Sequence, residues 1–337
     1  AVNGYFVLAA AASFGVTALL GLWLIPFLRR LKYGQTILEI GPAWHKNKQG
    51  TPTMGGLMFI AGVLCAVASS FSAALLAHPE LAQGYHRILN TRLVAGLLMA
   101  VGFSLIGFAD DYVKVAKKQN LGLTPGQKLV VQFLVAILYL WSLIAAGDTS
   151  TVLFIPFFGQ LALAPWLYYP LCAVGIVYIV NSVNLTDGLD GLAASVTAMA
   201  SFGFLAVAML LQNFQTELFA VAVAGGCIGF LIYNFYPAKV FMGDTGSMFL
   251  GGCVVAMAFG VGAPLLLGLI GLIYICESLS VVIQVISFKT TGKRIFKMSP
   301  IHHHFEMSGY TEVQIGFAFS LITVIGSLLA FLAARGF

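Results

Sequence analysis

The stretch "LVAGLLMAVGFSLIGFADDYVK", residues 93–114, decides the fold class of this chain. It runs for 17 residues (93–109) without a charged side chain and then places Asp110 and Asp111 side by side. An α-helix needs about 20 mainly apolar residues to cross a lipid hydrocarbon core about 30 Å thick. The stretch therefore predicts a membrane-spanning helix, with the two acids at the end where the helix meets water.

The whole chain has the composition of a membrane protein. Of its 337 residues 60% are hydrophobic and 9% are charged, with a mean hydropathy of +0.95. Soluble domains are about 45–50% apolar and about 25% charged. Only helices and closed barrels satisfy their backbone hydrogen bonds in lipid, and long apolar runs exclude a barrel. We predict an all-α, polytopic integral membrane protein that forms a single transmembrane domain over residues 1–337.

About ten transmembrane helices are expected, because ten segments are long enough to span a bilayer. They cover residues 5–28, 56–77, 92–109, 128–146, 165–183, 191–211, 218–236, 246–262, 264–288 and 313–333. Only "GVGAP" at 260–264 separates the eighth from the ninth, so nine spans remain an alternative. The first segment lacks a cleavage site and is expected to be a true span.

The basic residues predict how the helices are oriented. Fourteen of the 17 lysines and arginines fall in loops that follow odd-numbered segments, and the other face holds Arg87, Arg92 and Arg335. Positive loops stay in the cytoplasm, so both termini are predicted to be external. The net charge of +5 suits anionic lipid headgroups and anionic substrates, and it does not suggest nucleic acid.

Acidic motifs concentrate at the predicted cytoplasmic ends of helices. They are "GFADDYVK" (107–114), "NLTDGLDG" (184–191) and "VFMGDTGS" (240–247). Neighbouring helices of a bundle pack 8–10 Å apart, so these loops can converge. A helix C-terminus disfavours anions, and a bound cation would explain the paired acids. Mg²⁺ is typically held by one or two carboxylates together with substrate phosphates.

Two of these aspartates have an ordinary structural interpretation as well. Asp190 precedes "GLAAS" and Asp244 precedes "TGSMFL", which are both N-cap positions. The glycines beside them would also let backbone N–H groups approach a phosphate at a helix N-terminus. The sequence leaves cap and ligand open for each.

Other polar stretches interrupt the apolar sequence. "PIHHHFE" (300–306) is expected to bind phosphates, with zinc as the alternative, since adjacent histidines do not easily close a tetrahedral site. Glu277 lies inside the ninth segment and must face the bundle interior, where packing or organisation of a site is favoured. "GTPTMGG" (50–56) is expected to form an ordered turn, and "TSTVLFIPFFGQLALAP" (149–165) a small external hairpin.

Together these motifs resemble those of the phospho-N-acetylmuramoyl-pentapeptide transferases, a branch of the polyprenyl-phosphate N-acetylhexosamine-1-phosphate transferase superfamily. The resemblance rests on "GTPTMGG", "DDYVK", "NLTDGLDGLA", "FMGDTGS", "ESLSVVIQ" and "PIHHHFE", in that order. It implies ten helices with external termini in the bacterial inner (cytoplasmic) membrane, a cytoplasmic-face active site, Mg²⁺ as cofactor, and a homodimer. It also implies that the sequence starts a little late relative to many members.

The resemblance further implies a reaction and its residues. UDP-N-acetylmuramoyl-pentapeptide and undecaprenyl phosphate would give lipid I and UMP. Asp110, Asp111 and Asp244 would be the essential acids, with Asp244 as metal ligand, and Lys114 and Lys128 their basic partners. The histidine triplet is His302, His303 and His304. The expected nucleoside pocket comprises Lys48, Asn184, Asp187, Gly188, Leu189, Asp190, Asn234, Phe241 and Gln284.

The sequence leaves both the mechanism and the alternative functions open. Undecaprenyl phosphate is mostly dianionic at neutral pH, which favours direct attack on the sugar-proximal phosphorus, with Asp110 orienting the acceptor or taking its last proton. The rival route passes through a phosphorylated aspartate. A related UDP-N-acetylglucosamine:polyprenyl-phosphate transferase is one alternative function. An ion-coupled transporter is another, although its ionisable groups would lie nearer the bilayer midplane.

Overall fold

The computed structural model describes residues 3–31, 48, 50–116 and 122–336. Twelve α-helices run through that part of the chain, and ten of them have 18 residues or more. They are α1 (Asn3–Arg30), α2 (Gly56–Ala77), α3 (His86–Ala116), α4 (Pro125–Ala145), α5 (Pro165–Thr186), α6 (Leu192–Leu210), α7 (Phe214–Asn234), α8 (Gly243–Gly260), α9 (Leu267–Ile270), α10 (Leu272–Thr291), α11 (Ile301–Glu306) and α12 (Glu312–Ala334).

Within the described ranges, nine of these helices are long and apolar enough to cross a membrane. The predicted all-α, multi-pass architecture is therefore confirmed in its coarse form. The tenth long helix, α8, is not among the nine. Its first turn carries the polar sequence "GDTGS", which lowers its mean hydropathy. The count of ten spans and the side on which the termini lie stay predictions.

Helix α8 forms the centre of the bundle. Every residue from Thr245 to Gly260 is buried. Helix α3 packs closely along α8 because glycines stand where the two backbones meet. A Cβ at Gly107 would lie 2.1 Å from the carbonyl oxygen of Asp244, and one at Gly252 would lie 2.5 Å from the Cα of Ala100. This close approach brings the acidic end of α3 against the first turn of α8.

Helix α3 is longer than the segment predicted for it. The sequence interpretation ended the span at Ala109, before the two aspartates, whereas the helix continues to Ala116. Asp110 and Asp111 therefore lie inside the helix. The helix continues through the acids because each has a partner. Asp110 pairs with Lys114 one turn later, and Asp111 accepts hydrogen bonds from α8.

The ninth predicted segment is interrupted. A 3₁₀ turn (Pro264–Leu266) leads into the short helix α9, and after Gly271 the long helix α10 begins. The predicted hairpin is confirmed. Strand β1 (Val152–Ile155) pairs antiparallel with strand β2 (Gly159–Ala162), and Val152 lies opposite Ala162.

The polar groups gather at opposite ends of the bundle. At one end Arg92 of α3 donates to Asp148, which follows α4, with Nε–Oδ2 at 2.7 Å. The other end carries the acidic motifs, the histidines and the turn before α2. Four lysines counted in the charge asymmetry lie outside the described residues, namely Lys32, Lys46, Lys117 and Lys118.

Candidate active site

Three carboxylates from two helices meet at the acidic end of the bundle. Asp110 and Asp111 come from α3, and Asp244 comes from the first turn of α8. One oxygen of each lies within 4.8 Å of one oxygen of the other two. Asp110 and Asp111 are buried, whereas Asp244 is half-buried. The acids that the sequence placed in two distant motifs therefore share one site.

Two lysines stand between these acids. Lys128, in the first turn of α4, places its Nζ 2.7 Å from Oδ2 of Asp244 and 3.5 Å from Oδ2 of Asp110. Lys114 contacts the same two oxygens, at 3.3 Å from Asp244. The two ammonium groups offset much of the repulsion between the carboxylates. The same ammonium groups lie where an anionic substrate would need them.

Asp111 binds the N-terminus of α8. Its carboxylate accepts hydrogen bonds from the backbone N–H groups of Asp244 (3.2 Å) and Thr245 (2.9 Å) and from the Thr245 hydroxyl (2.7 Å). The N-cap of α8 is Met242, which makes no side-chain capping bond. The N-cap alternative for Asp244 is therefore wrong. The helix end that could have received a phosphate is satisfied by Asp111.

Asn184 completes the surroundings of Asp244 from the last turn of α5. Its Nδ2 donates to Oδ1 of Asp244 at 3.0 Å and to Oγ of Ser247 at 2.7 Å. Both oxygens of Asp244 therefore have partners on other helices, with Asn184 on one oxygen and the lysines on the other. This arrangement leaves the carboxylate little freedom to rotate.

A second cluster ties together the loops around Lys48. The Nζ of Lys48 lies 2.7 Å from Oδ1 of Asp190 and 2.6 Å from Oε2 of Glu312, at the start of α12. Burial alone would lower the pKa of Lys48, but the hydrogen bonds to Asp190 and Glu312 raise that pKa above its ordinary value. Asp190 also accepts from the N–H of Ala238 at 2.9 Å. We call these four residues the Lys48 clamp.

The N-cap alternative for Asp190 is also wrong. The N-cap of α6 is Gly191, in a left-handed conformation with φ +73°. The N–H of Gly191 donates to Oδ1 of Asn234 at 3.1 Å, and Nδ2 of Asn234 donates to the carbonyl of Val240 at 2.9 Å. Asn234 thus connects the loop before α6 to the loop before α8.

The turn before α2 packs against the third acidic motif, as expected for an ordered turn. Phe241 donates its N–H to the carbonyl of Pro52 at 2.8 Å, and its own carbonyl accepts from the N–H of Gly55 at 2.8 Å. The ring of Phe241 is half-buried. The backbone N–H and the carbonyl of Phe241 are therefore both hydrogen-bonded to the turn before α2.

The three histidines have three different surroundings. His302 is buried, and its Nδ1 lies 3.0 Å from Oε2 of the buried Glu277. The Nδ1 of His303 lies 2.8 Å from Oε2 of Glu306, and the Nδ1 of His304 accepts from the N–H of Lys297 at 3.1 Å. A shared zinc ion would need the imidazoles to turn toward one point. Because each histidine contacts a different partner, the arrangement does not favour zinc. Glu277 faces the bundle interior, as expected, and its contact there is His302.

Asp187 and the loop after it lie between the acids and the histidines. Burial, with the charges of Asp244, Asp111 and Asp190, raises the pKa of Asp187 to about 8. Gly188 stands against the ring of His302, because a Cβ there would lie 2.2 Å from Nε2. Leu189 is buried in the core.

Both polar atoms of the Gln284 side-chain amide form hydrogen bonds with backbone groups of the protein. Its Oε1 accepts from the N–H groups of Ile295 and Phe296, both at 3.0 Å, and its Nε2 donates to the carbonyl of Phe296 at 2.8 Å. Gln284 therefore holds the basic loop after α10 against that helix. A role in binding a nucleoside stays a prediction.

The residues present suit a hard divalent cation. Asp110 and Asp244 both turn an oxygen toward the same two lysines, and carboxylate oxygens are what Mg²⁺ prefers. Asp244 is the more exposed of the two, with side-chain exposures of 21% and 3%. Asp111 has its oxygens committed to α8. Asp244 is thus the best-placed ligand and Asp110 the next.

Sequence reasoning missed Glu312, which joins Lys48 to the loop before α6. Its Oε2 also accepts from the N–H of Asp190 at 2.8 Å. The segment "TEVQ" carries a capping box, in which Thr311 and Gln314 bond each other's backbone. An acid in a first helical turn is ordinary. Nothing in that pattern distinguishes a helix start from a member of the site.

These features define a multi-pass membrane protein with a carboxylate and lysine site at one end of its bundle. The family model for glycosyl transferase family 4 matches residues 93–262, and phospho-N-acetylmuramoyl-pentapeptide-transferase signature 1 matches residues 48–60. The first range carries the acids of α3 and α8, and the second begins at Lys48.

Similar proteins give the more specific assignment. The phospho-N-acetylmuramoyl-pentapeptide-transferase of Heliobacterium modesticaldum is 45% identical over 329 residues, covering 98% of this chain and 96% of that protein. The proteins of the same name from Halalkalibacterium halodurans and Acetivibrio thermocellus are each 45% identical and cover 96% of this chain, and 96% and 93% of their own lengths. The chain therefore belongs to the phospho-N-acetylmuramoyl-pentapeptide-transferase family.

Proposed function

We propose that this chain transfers phospho-N-acetylmuramoyl-pentapeptide from its UDP conjugate to undecaprenyl phosphate, giving lipid I and UMP. One observation carries the chemistry. Asp110, Asp111 and Asp244 meet around Lys114 and Lys128 at one end of an apolar helical bundle. A pyrophosphate and a lipid phosphate can both reach such a place, because it lies at the end of the bundle and not at its middle.

The lysines would reduce the main barrier of the reaction. Two anions must approach each other, and their repulsion is relieved by positive charge on the non-bridging oxygens. Lys114 and Lys128 are held near the site by Asp110 and Asp244. A bound Mg²⁺, held by Asp244 and Asp110, would supply further charge neutralisation for the pyrophosphate.

The bond changes would occur in one displacement. An oxygen of the lipid phosphate attacks the sugar-proximal phosphorus, forming a new P–O bond. The bond from that phosphorus to the bridging oxygen of UMP breaks, and UMP leaves with the electron pair. Where the acceptor carries a last proton, Asp110 takes it. The alternative through a phosphorylated aspartate is less suited to this site, because the oxygens of all three aspartates already have partners. Asp111 caps α8, the oxygens of Asp244 contact Asn184 and the lysines, and those of Asp110 contact the N–H of Leu123 and the lysines.

The nucleoside would bind in the region bounded by Lys48, Asp187 and Phe241. The other residues proposed to line it are Asn184, Gly188, Leu189, Asp190, Asn234 and Gln284. Support comes from their placement, because all of them except Gln284, which lies within α10, belong to loops and helix ends near the acid cluster. His303 and His304 would contact phosphates, and His302 would hold the loop at Gly188.

The proposed setting follows the charge asymmetry. The chain would form a single transmembrane domain of ten spans in the bacterial inner membrane, with both termini external and the site in the cytoplasm. A homodimer is proposed as its assembled state.

Release of UMP by purified protein tests the function. With UDP-N-acetylmuramoyl-pentapeptide, undecaprenyl phosphate and Mg²⁺ we expect UMP and a lipid-linked product, and no UMP when Mg²⁺ is chelated. UDP-N-acetylglucosamine as donor is the control for the related activity. A transporter would release no UMP with either donor, and that result would refute the proposal. Labelled enzyme trapped without the lipid acceptor would refute direct attack.

A further inference from the structure

Two amide side chains face each other one helical turn away from the acid cluster. Nδ2 of Asn181 on α5 donates to Oε1 of Gln132 on α4 at 2.8 Å, and Nε2 of Gln132 donates to Oδ1 of Asn181 at 3.3 Å. Nδ2 of Asn181 also donates to the carbonyl of Val177 at 2.8 Å. Gln132 is 1% exposed. The pair is therefore a reciprocal bridge between two helices inside the bundle.

Each amide stands beside a residue that contacts Asp244. Gln132 follows Lys128 by four residues on α4, and Asn181 precedes Asn184 by three residues on α5. Residues three or four apart lie on the same face of a helix. Lys128 binds Oδ2 of Asp244 at 2.7 Å, and Asn184 binds Oδ1 at 3.0 Å.

We propose that Gln132 and Asn181 are positioning residues for the transfer reaction, and this rests on the proposed function. The bridge fixes the spacing between α4 and α5 one turn from the site. That spacing sets where Lys128 and Asn184 hold the two oxygens of Asp244. The bridge acts through these residues and touches no substrate.

Comparing single and double variants distinguishes a positioning role of the two amides from a contribution to the stability of the fold. Asn181→Leu leaves the buried amide of Gln132 without its partner, and Gln132→Met leaves the half-buried amide of Asn181 with only the carbonyl of Val177. Each single variant is therefore expected to lower Tm and activity together. The double variant removes both amides, and replacing both partners by apolar groups of similar shape is nearly neutral for stability. Its Tm should return close to that of the wild type, while its kcat stays lower by about ten- to a hundredfold. Its KM for the UDP substrate should change little.

An exchanged pair is the matched control. Gln132→Asn with Asn181→Gln keeps two facing amides and the same total number of methylenes, so its kcat should stay close to the wild-type value. If single variants do not fold, the double variant and the exchanged pair still decide the question. A double variant with wild-type kcat would overturn the positioning role alone. A wild-type protein that releases no UMP would overturn this proposal and the proposed function together.

Discussion

Asp111 of α3 accepts hydrogen bonds from both the backbone N–H and the hydroxyl of Thr245 on α8, at 2.9 and 2.7 Å. One helix thus caps the other, although their residues are more than 130 positions apart in the chain. The buried carboxylate is stabilised by the unpaired N–H groups of a helix N-terminus. Of the two adjacent aspartates, Asp111 contacts the N-terminus of α8 and Asp110 faces the lysines.

The first prediction separates these two roles. Asp111→Ala should lower the free energy of unfolding by about 2 kcal/mol, because α8 loses its cap and charged hydrogen bonds. Asp110→Asn should abolish UMP release with a smaller change in Tm. The measurements are thermal unfolding in detergent and the UMP assay. Glu80→Ala, at an exposed acid in the 3₁₀ turn after α2, is the control and should change neither.

Equal losses of stability in Asp110→Asn and Asp111→Ala would contradict the division of roles. A stable Asp111→Ala protein would show that α8 does not depend on the carboxylate for its N-terminus.

Much of the fold could be predicted from the sequence, because lipid imposes a length and an apolar composition on every span. The residue at which α3 ends could not be predicted from the sequence. A charge normally marks the end of a span, and the helix continues here because Asp110 pairs with Lys114 on the same helix and Asp111 with α8. Helix α8 was found by its apolar second half, but its buried central place depends on close contacts at Gly107 and Gly252.

The site was predictable wherever chemistry leaves a local pattern. Adjacent acids at the end of an apolar run indicated a cation site, and they do meet Asp244. Relationships between distant residues leave no such pattern. Three contacts illustrate this: Asp111 caps α8, Glu312 pairs with Lys48 in the Lys48 clamp, and Gln132 bridges to Asn181. Each contact joins residues at least 49 positions apart.

The second prediction concerns the Lys48 clamp. Lys48→Met leaves Asp190 and Glu312 close together without their cation. Because Lys48 keeps 17% of its side chain exposed, the loss of stability should be about 2 kcal/mol, below the roughly 3–5 kcal/mol of a fully buried pair. KM for the UDP substrate should rise, because the loop at Asp190 loses its support.

A second substitution tests whether charge is the cause. Lys48→Met with Glu312→Gln removes the repulsion and should recover most of the lost Tm. Failure of this rescue would mean that Lys48 stabilises the loops by packing and not through its charge.

The third prediction distinguishes the histidines of the triplet. His302→Ala should destabilise the protein by about 2 kcal/mol or more, since it leaves a cavity and an unpaired Glu277 in the core. His304→Ala should reduce activity with a smaller effect on Tm, because it lies at the surface of its helix with Lys297 as partner. Differential scanning fluorimetry and the UMP assay measure both. Equal Tm values for the two variants would contradict the buried role of His302.

The last prediction uses the raised pKa of Asp187. In the folded chain that pKa is about 8, whereas an aspartate ordinarily titrates near 3.8. The folded state therefore binds more protons than the unfolded state between these values, and the free energy of unfolding falls as pH rises through that range. Asp187→Asn cannot titrate. Its Tm relative to the wild type should rise from about pH 5 to about pH 8 and stay constant above.

The comparison is made with a chelator present, so that no divalent cation shifts the titration. Glu80→Gln is the matched control. This control is measured in a His78→Gln background, because His78 contacts Glu80 and a histidine ordinarily ionises within this range. A backbone hydrogen bond lowers the pKa of Glu80, so the difference that Glu80→Gln makes in that background should be flat from about pH 5 to about pH 8. A flat difference for Asp187→Asn would mean that Asp187 ionises at its ordinary value. In that case neither its burial nor its acidic neighbours would govern the charge of the loop that follows α5.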